Sequence, residues 1–452
     1  MGSKRAKFAG KLSAVLVAAG SAVGLGNIWR FPSVAGDNGG GAFLLLYILC
    51  VIVLGIPLML AEFSVGRHTQ KAAVGAYRSL GKRWAFIGYN GVLTAFLILG
   101  FYYVVSGWTL QYLFESATGA ISNYSTPEEY AALFKEFYNN PWQPVLCAAL
   151  FAFMTHGVIA MGVQKGIERI SNILMPLLFI MLLVLAIHSI LMPGSWEGVE
   201  FFIRPDFSKV TIRTVLMALG QAFFSLSIGL GCMVTYASYF NQETNLNHTA
   251  INVSALGSLV AVLAGMIIFP AAFSTGIFTA GAPIEAGPDL IFITLPAIFN
   301  TMPFGALWAT IFFLLLVVAA LTSTISLHEV LTAHMHEEWN ISRSKANYIT
   351  TGTMLLLSAA ASLSTSVFSN YTIFGLTLFD LLDFVTANIM LPLGGLATCI
   401  FVGWILDRAI IKSELTNNYT TNGRFVPIVV FTLRWICPVI LTVILLDSLG
   451  IF

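Results

Sequence analysis

Thr322-Ser-Thr-Ile-Ser326 sets four hydroxyls into five residues of an otherwise apolar stretch. Two other apolar runs carry polar side chains: Ser21, Asn27 and Arg30 in one, and Gln221, Ser225 and Ser227 in a second, about two hundred residues later. Such groups cost free energy in apolar surroundings unless they pair with one another or line a cavity. Serine and threonine hydroxyls commonly bond back to the carbonyl one turn earlier. Beside backbone carbonyls freed by a broken helix they are also hard oxygen donors suited to sodium. No nucleophile, base and orienting acid converge in these stretches, which argues against an enzyme, and no nucleic-acid-binding signature is present. His334-Met-His336, the most metal-like of the seven histidines, reads as a polar helix end beside Glu337 and Glu338, because zinc needs more ligands at suitable spacing. The five cysteines (Cys50, Cys147, Cys232, Cys399, Cys437) all sit in apolar stretches at spacings that fit no thiolate cluster, so they read as free packing residues.

Glycine-rich breaks must position the polar groups. Gly20-Ser-Ala-Val-Gly-Leu-Gly-Asn27 and Ser225-Leu-Ser-Ile-Gly-Leu-Gly-Cys232 interrupt runs long enough to cross a membrane. Unwound backbone facing lipid would strand N–H and C=O groups, so such breaks persist only where they line a cavity or a ligand. Two of them in corresponding positions predict a substrate site near the bilayer midplane. The composition agrees: 57% hydrophobic and 10% charged residues, 35 of them Phe, with a net charge of +1. Eleven stretches are long and apolar enough to span, at about 10–36, 41–66, 85–115, 142–162, 167–192, 213–239, 249–275, 305–337, 345–366, 374–407 and 425–449.

The first stretch follows Lys4, Arg5, Lys7 and Lys11 but has no small-residue cleavage site, and it reads as a retained helix. Basic residues recur on one side, at Arg67 to Arg83, Lys165 and Arg169, Arg343 and Lys345, and Arg408 and Lys412. The positive-inside rule places that side and the amino terminus in the cytoplasm, with Phe452 outside. No long polar linker divides the chain, which is read as one membrane domain, residues 1–452. Val23-Gly-Leu-Gly26 against Ile228-Gly-Leu-Gly231 suggests a duplication of about 10–192 and 213–407, with an extra helix at 425–449. Five spans per half make the second half enter from the opposite side, an inverted repeat.

Gly20-Ser-Ala-Val-Gly-Leu-Gly-Asn-Ile-Trp-Arg-Phe-Pro32, followed by Asn38-Gly-Gly-Gly-Ala-Phe43 and by Gly55-Ile-Pro57 with Glu62, resembles the neurotransmitter:sodium symporter family. The likeness continues through Tyr102 and Trp108, Gln221-Ala-Phe-Phe-Ser-Leu-Ser-Ile-Gly229, Thr235-Tyr-Ala-Ser-Tyr239, Leu321-Thr-Ser323 and Asp380-Leu-Leu-Asp-Phe384, nearly the full chain. The resemblance implies an all-α membrane fold with unwound helices 1 and 6, and sodium-coupled symport by alternating access. It implies a second sodium site from Gly20, Val23, Ala319, Thr322 and Ser323, and a first from Ala22, Asn27, Ser225 and the substrate's carboxylate. The usual helix 7 ligand of the first site falls on Gly257, and Ala261 lacks the side chain tied to chloride binding or charge compensation, although Tyr47, Gln221 and Ser225 match the rest of that constellation. A weakened or absent first site is therefore expected, with one sodium and two as the alternative, and no well-formed chloride site.

Gly24 stands where monoamine-carrying relatives place an aspartate, so an amino acid is expected, with its carboxylate at Leu25, Gly26 and Tyr102. Its ammonium would meet Ala22, Phe224, Ser225 and Ser227, and Ser21, Ile98, Leu230, Ser323 and Leu327 would shape a mainly apolar side-chain pocket. A one-residue slip would exchange Tyr102 with Tyr103. Arg30 and Asp383 resemble an outer gate above Tyr102 and Phe224; Arg5, Phe8, Ser238, Tyr239 and Glu337 resemble an inner network, with Phe8 and Glu337 departing from the usual Trp and Asp. Eleven helices and short termini favour a bacterial inner membrane. The alternative reading is an amino-acid sensor that keeps the fold without transport.

Overall fold

The computed structural model describes residues 6–275 and 288–450, so Arg5 lies outside the described residues. Among them eight continuous helices, and one bent pair as a ninth, are long and apolar enough to cross a membrane, and helices also occupy the stretches expected at 213–239 and 345–366. The continuous eight are α2 (Gly41–Thr69), α3 (Lys82–Ala117), α4 (Gln143–Ala160), α5 (Val163–Ile190), α7 (Leu246–Ser274), α8 (Gly305–Glu338), α10 (Leu378–Ile405) and α11 (Val426–Ser448). α9 (Arg343–Ser364) is less apolar. α1 is broken into Lys11–Ala22 and Gly26–Asp37, bent by 60°. α6 is broken into Ile212–Ser225 and Cys232–Ala237. The breaks fall five spans apart, so the two halves cross in opposite senses.

Burial explains which helices organise the site. Every residue of α8 from Leu315 to Met335 is buried, on all faces, which marks it as the central helix rather than an amphipathic one. α3 packs along it, and both halves of the bundle meet there, with α1 against α7, α8 and α5. At the periphery α5 instead exposes Ile173, Leu177, Ile180, Val184 and Ile187, spaced three or four apart. An apolar stripe of that length suits hydrocarbon rather than water. Outside the spans, Pro127–Asn139 is closed by a capping box in which Thr126 and Glu129 satisfy each other's backbone. The amides of Ser125 and Thr126 hold the Glu129 carboxyl below the usual range.

Positive φ angles at Ser227, Gly229 and Gly231 carry the α6 break. Glycine takes this conformation without the steric cost of a Cβ. At Gly229 a Cβ would also lie 2.8 Å from the Leu391 carbonyl, so close approach and backbone conformation both require glycine there. The buried Glu62 of α2 accepts from the Gly229 amide at 2.7 Å, replacing a helical bond that the break removes.

Candidate functional site

The unwound backbone of α1 is satisfied by side chains from three other helices. Leu25 N donates to Tyr102 Oη at 3.2 Å, Ser227 Oγ donates to Ser21 O at 2.7 Å, and Gln221 Nε2 donates to Gly26 O at 3.2 Å. Ser323 Oγ lies 3.4 Å from Val23 O, and Thr322 Oγ1 lies 3.0 Å from Ala319 O. A Cβ on Gly20 would sit 3.3 Å from Thr322 Cβ, so glycine lets α1 close onto α8. Two carbonyl oxygens and two hydroxyls are thus gathered between α1 and α8, a donor set that fits a hard monovalent cation. The other hydroxyls of the Thr322–Ser326 run go elsewhere. Thr324 pairs with Thr155 of α4 at 2.8 Å, and Ser326 bonds the Ser323 carbonyl at 2.7 Å.

The residues expected for a first cation site are also neighbours, but they bond differently. Asn27 is buried, and its Nδ2 donates to the carbonyls of Ala22 and of Gly257, each at 3.2 Å. Ser225 Oγ is shared with Tyr47 Oη at 3.0 Å and lies 3.2 Å from Ala222 O. The donor set does not fit an ion as it does beside α8: an N–H already lies against the carbonyl that an ion would use.

At the breaks lies a cavity of about 700 Å³, lined by every residue inferred for the substrate pocket: Ser21, Ala22, Gly24, Leu25, Gly26, Ile98, Tyr102, Phe224, Ser225, Ser227, Leu230, Ser323 and Leu327. Tyr103 points the other way, to His328 Nδ1 at 3.0 Å, whereas Tyr102 lines the cavity. Phe101, Val105, Ser326, Asn388 and Leu391 also line the cavity and were missed. Ile98, Phe101, Tyr102 and Val105 repeat at helical spacing, a signal that could have named two of them.

The cavity continues toward the end of the bundle that carries Pro127–Asn139, past Arg30 and Asp383. Arg30 lies over the Phe224 ring at 4.7 Å, and it makes no ion pair with Asp383 within 4.0 Å. At the opposite end, Phe8 N donates to Tyr239 O at 3.0 Å, and the Phe8 ring meets Tyr236, Tyr239 and Phe240. Phe8 is buried, so a phenylalanine closes this end without the larger indole. Glu337 accepts from Ala72 N at 2.7 Å, and Ser238 donates to the Thr235 carbonyl. Sequence reasoning missed a charged group here: Glu329, wholly buried on α8, accepts from Tyr239 Oη at 2.6 Å and pairs with Arg343 of α9. An acidic residue inside an apolar span demands such a partner, and that was the available signal.

A family model described as the Sodium:neurotransmitter symporter family matches residues 5–133 and 134–452. The chain belongs to that family. Among similar proteins, an uncharacterized sodium-dependent transporter, YhdH of Bacillus subtilis, is 39% identical over 450 residues, covering 99% of this chain and 98% of its own. A sodium-dependent dopamine transporter of Caenorhabditis elegans is 29% identical over 397 residues, covering 75% and 64%. The crystal structure of MhsT in complex with L-phenylalanine matches with a TM-score of 0.88 and 40% identity, over 98% of this chain and all of that one. The all-helical fold, the broken α1 and α6 and the membership in a family of sodium-dependent membrane transporters thus agree with the expectations from sequence.

Proposed function

We propose that the chain carries an amino acid with a hydrophobic side chain across a membrane by sodium-coupled symport. The observation that carries this reading is Gly24. A Cβ there would lie 2.7 Å from Ser323 Oγ and 3.2 Å from Tyr102 Oη, so the absence of a side chain opens the floor between both hydroxyls. A substrate carboxylate in that space faces Tyr102 Oη and the first amides of the half-helix that starts at Gly26, where the dipole is positive. The ammonium group then meets the carbonyls of the α6 break. Ile98, Val105, Leu230 and Leu327 give the remaining wall its apolar character. MhsT holds L-phenylalanine, and these walls suit the same class of side chain.

Sodium is a co-transported substrate in this reading, taken by Val23, Ala319, Thr322 and Ser323 with Gly20. Because these residues belong to α1 and α8, an ion among them favours the form in which the two helices are closed together. The ion can shift that balance only by the difference in its affinity for the two forms. Arg30 and Asp383 gate the outer end, and Phe8, Ser238, Tyr239, Glu329 and Glu337 the inner. The amino terminus faces the cytoplasm of a bacterial cell, and chloride has no part.

Uptake of a labelled amino-acid panel into proteoliposomes, under an inward sodium gradient and with potassium in its place, tests the proposal. Accumulation of hydrophobic amino acids only with sodium is expected. Binding without accumulation would replace the symporter by the sensor reading.

A further inference from the structure

Asn27 has a bonding pattern that admits only two consistent arrangements. Its side-chain nitrogen lies 3.2 Å from two carbonyl oxygens, those of Ala22 and Gly257. With the amide turned over, its oxygen would face both carbonyls, three acceptors with no donor among them, unless a cation lay at their centre. The cluster therefore holds either an N–H or an ion.

Two features favour the N–H. Gly257 faces Asn27 directly, since a Cβ built there would lie 3.7 Å from Asn27 Nδ2, yet glycine offers no side-chain oxygen toward it. The Ser225 hydroxyl is engaged by Tyr47 and lies within bonding distance of the Ala222 carbonyl. An amide N–H bonded to both carbonyls leaves none of these oxygens unsatisfied, whereas an ion would have to displace those bonds and still lack a ligand.

We infer that the Asn27 amide stands in place of the first of the two ions that membership of the family implies, so that one sodium is bound and coupled, between α1 and α8. This rests on the proposed sodium-coupled transport, and the substitute is a neutral group that never leaves. Each turnover with a zwitterionic amino acid then moves one net charge.

Equilibrium binding of labelled sodium to the purified full chain, with a saturating hydrophobic amino acid such as L-phenylalanine present to supply the carboxylate, decides the matter without requiring transport. One ion per chain at saturation is expected. Gly257→Asn, which restores a side-chain oxygen where a Cβ has ordinary contact distances, should raise the count to two. Two ions per unsubstituted chain would overturn the inference, and so would none, which would also sink the α1–α8 site. In proteoliposomes held at zero membrane potential with a tenfold sodium gradient, coupling to one ion gives about tenfold amino-acid accumulation and coupling to two about hundredfold. A plateau near hundredfold would leave the symporter reading intact and refute the single-ion inference alone.

Discussion

Removing the two hydroxyls that face α1, by Thr322→Ala together with Ser323→Ala, should abolish sodium dependence over the working range. The magnitude follows from what each hydroxyl does without an ion. Thr322 Oγ1 and Ser323 Oγ lie within bonding distance of the carbonyls of Ala319 and Val23, at 3.0 and 3.4 Å. Binding an ion therefore exchanges neutral contacts for charged ones. A polar contact to a charged group contributes ~1.5–3 kcal/mol, and the low end applies when a neutral bond is given up. The pair then accounts for about 3 kcal/mol, roughly 150-fold in sodium affinity.

The assay is the sodium concentration that gives half-maximal uptake, compared between the unsubstituted and doubly substituted chains at matched expression and melting temperature. Thr324→Ala is the control. It removes the same chemical group from the same helix, but that hydroxyl pairs with Thr155 of α4 rather than facing α1. Half-saturation should rise at least 100-fold in the double variant and stay within about threefold in the control, on the ~1 kcal/mol scale of one neutral hydrogen bond. A double variant within threefold of the parent would refute the site, as would an equal loss in Thr324→Ala.

Three further outcomes are expected. Tyr102→Phe leaves the Leu25 amide without its acceptor and should weaken apparent amino-acid affinity by roughly 5- to 150-fold, the effect of ~1–3 kcal/mol, whereas Tyr103→Phe, which loses its bonds to His328 and Thr155, should lower the melting temperature and spare affinity. Gly26→Ala would set a Cβ 2.4 Å from Phe224 Cε1 and should cost uptake severely, while Gly352→Ala on α9 meets nothing within 4 Å and should be silent in the same transport assay. Arg67, buried on α2, bonds Glu414 at 2.5 Å, and Arg67→Ala should cost about 3–5 kcal/mol by leaving that buried carboxylate with His68 alone, with the double replacement Arg67→Met, Glu414→Leu recovering most of it in thermal unfolding.

How much of this was legible beforehand varies with the range of the interaction. Spans were legible because length and hydropathy are local: the stretch expected at 305–337 is Gly305–Glu338, and that at 425–449 is Val426–Ser448. The breaks were legible because glycine marks backbone that other residues resist, and the pocket followed once resemblance supplied the pairing of α1, α3, α6 and α8. Directions of side chains were not. Four hydroxyls in Thr322–Ser326 look alike in sequence, yet on a helix buried all round they radiate to α1, to α4 and back along α8.

Partners distant in sequence were equally hidden. Glu329 and Arg343 fall on separate helices, and Arg67 and Glu414 are 347 residues apart, so only packing brings either pair together. The same reasoning applies to Asn27. The family resemblance implies a ligand missing at Gly257, and only the fold shows that the Asn27 N–H lies against the carbonyls of Ala22 and Gly257. A lost ligand in an apolar interior does not simply weaken a site. The remaining acceptors must find donors, and the donor that satisfies them also opposes the ion.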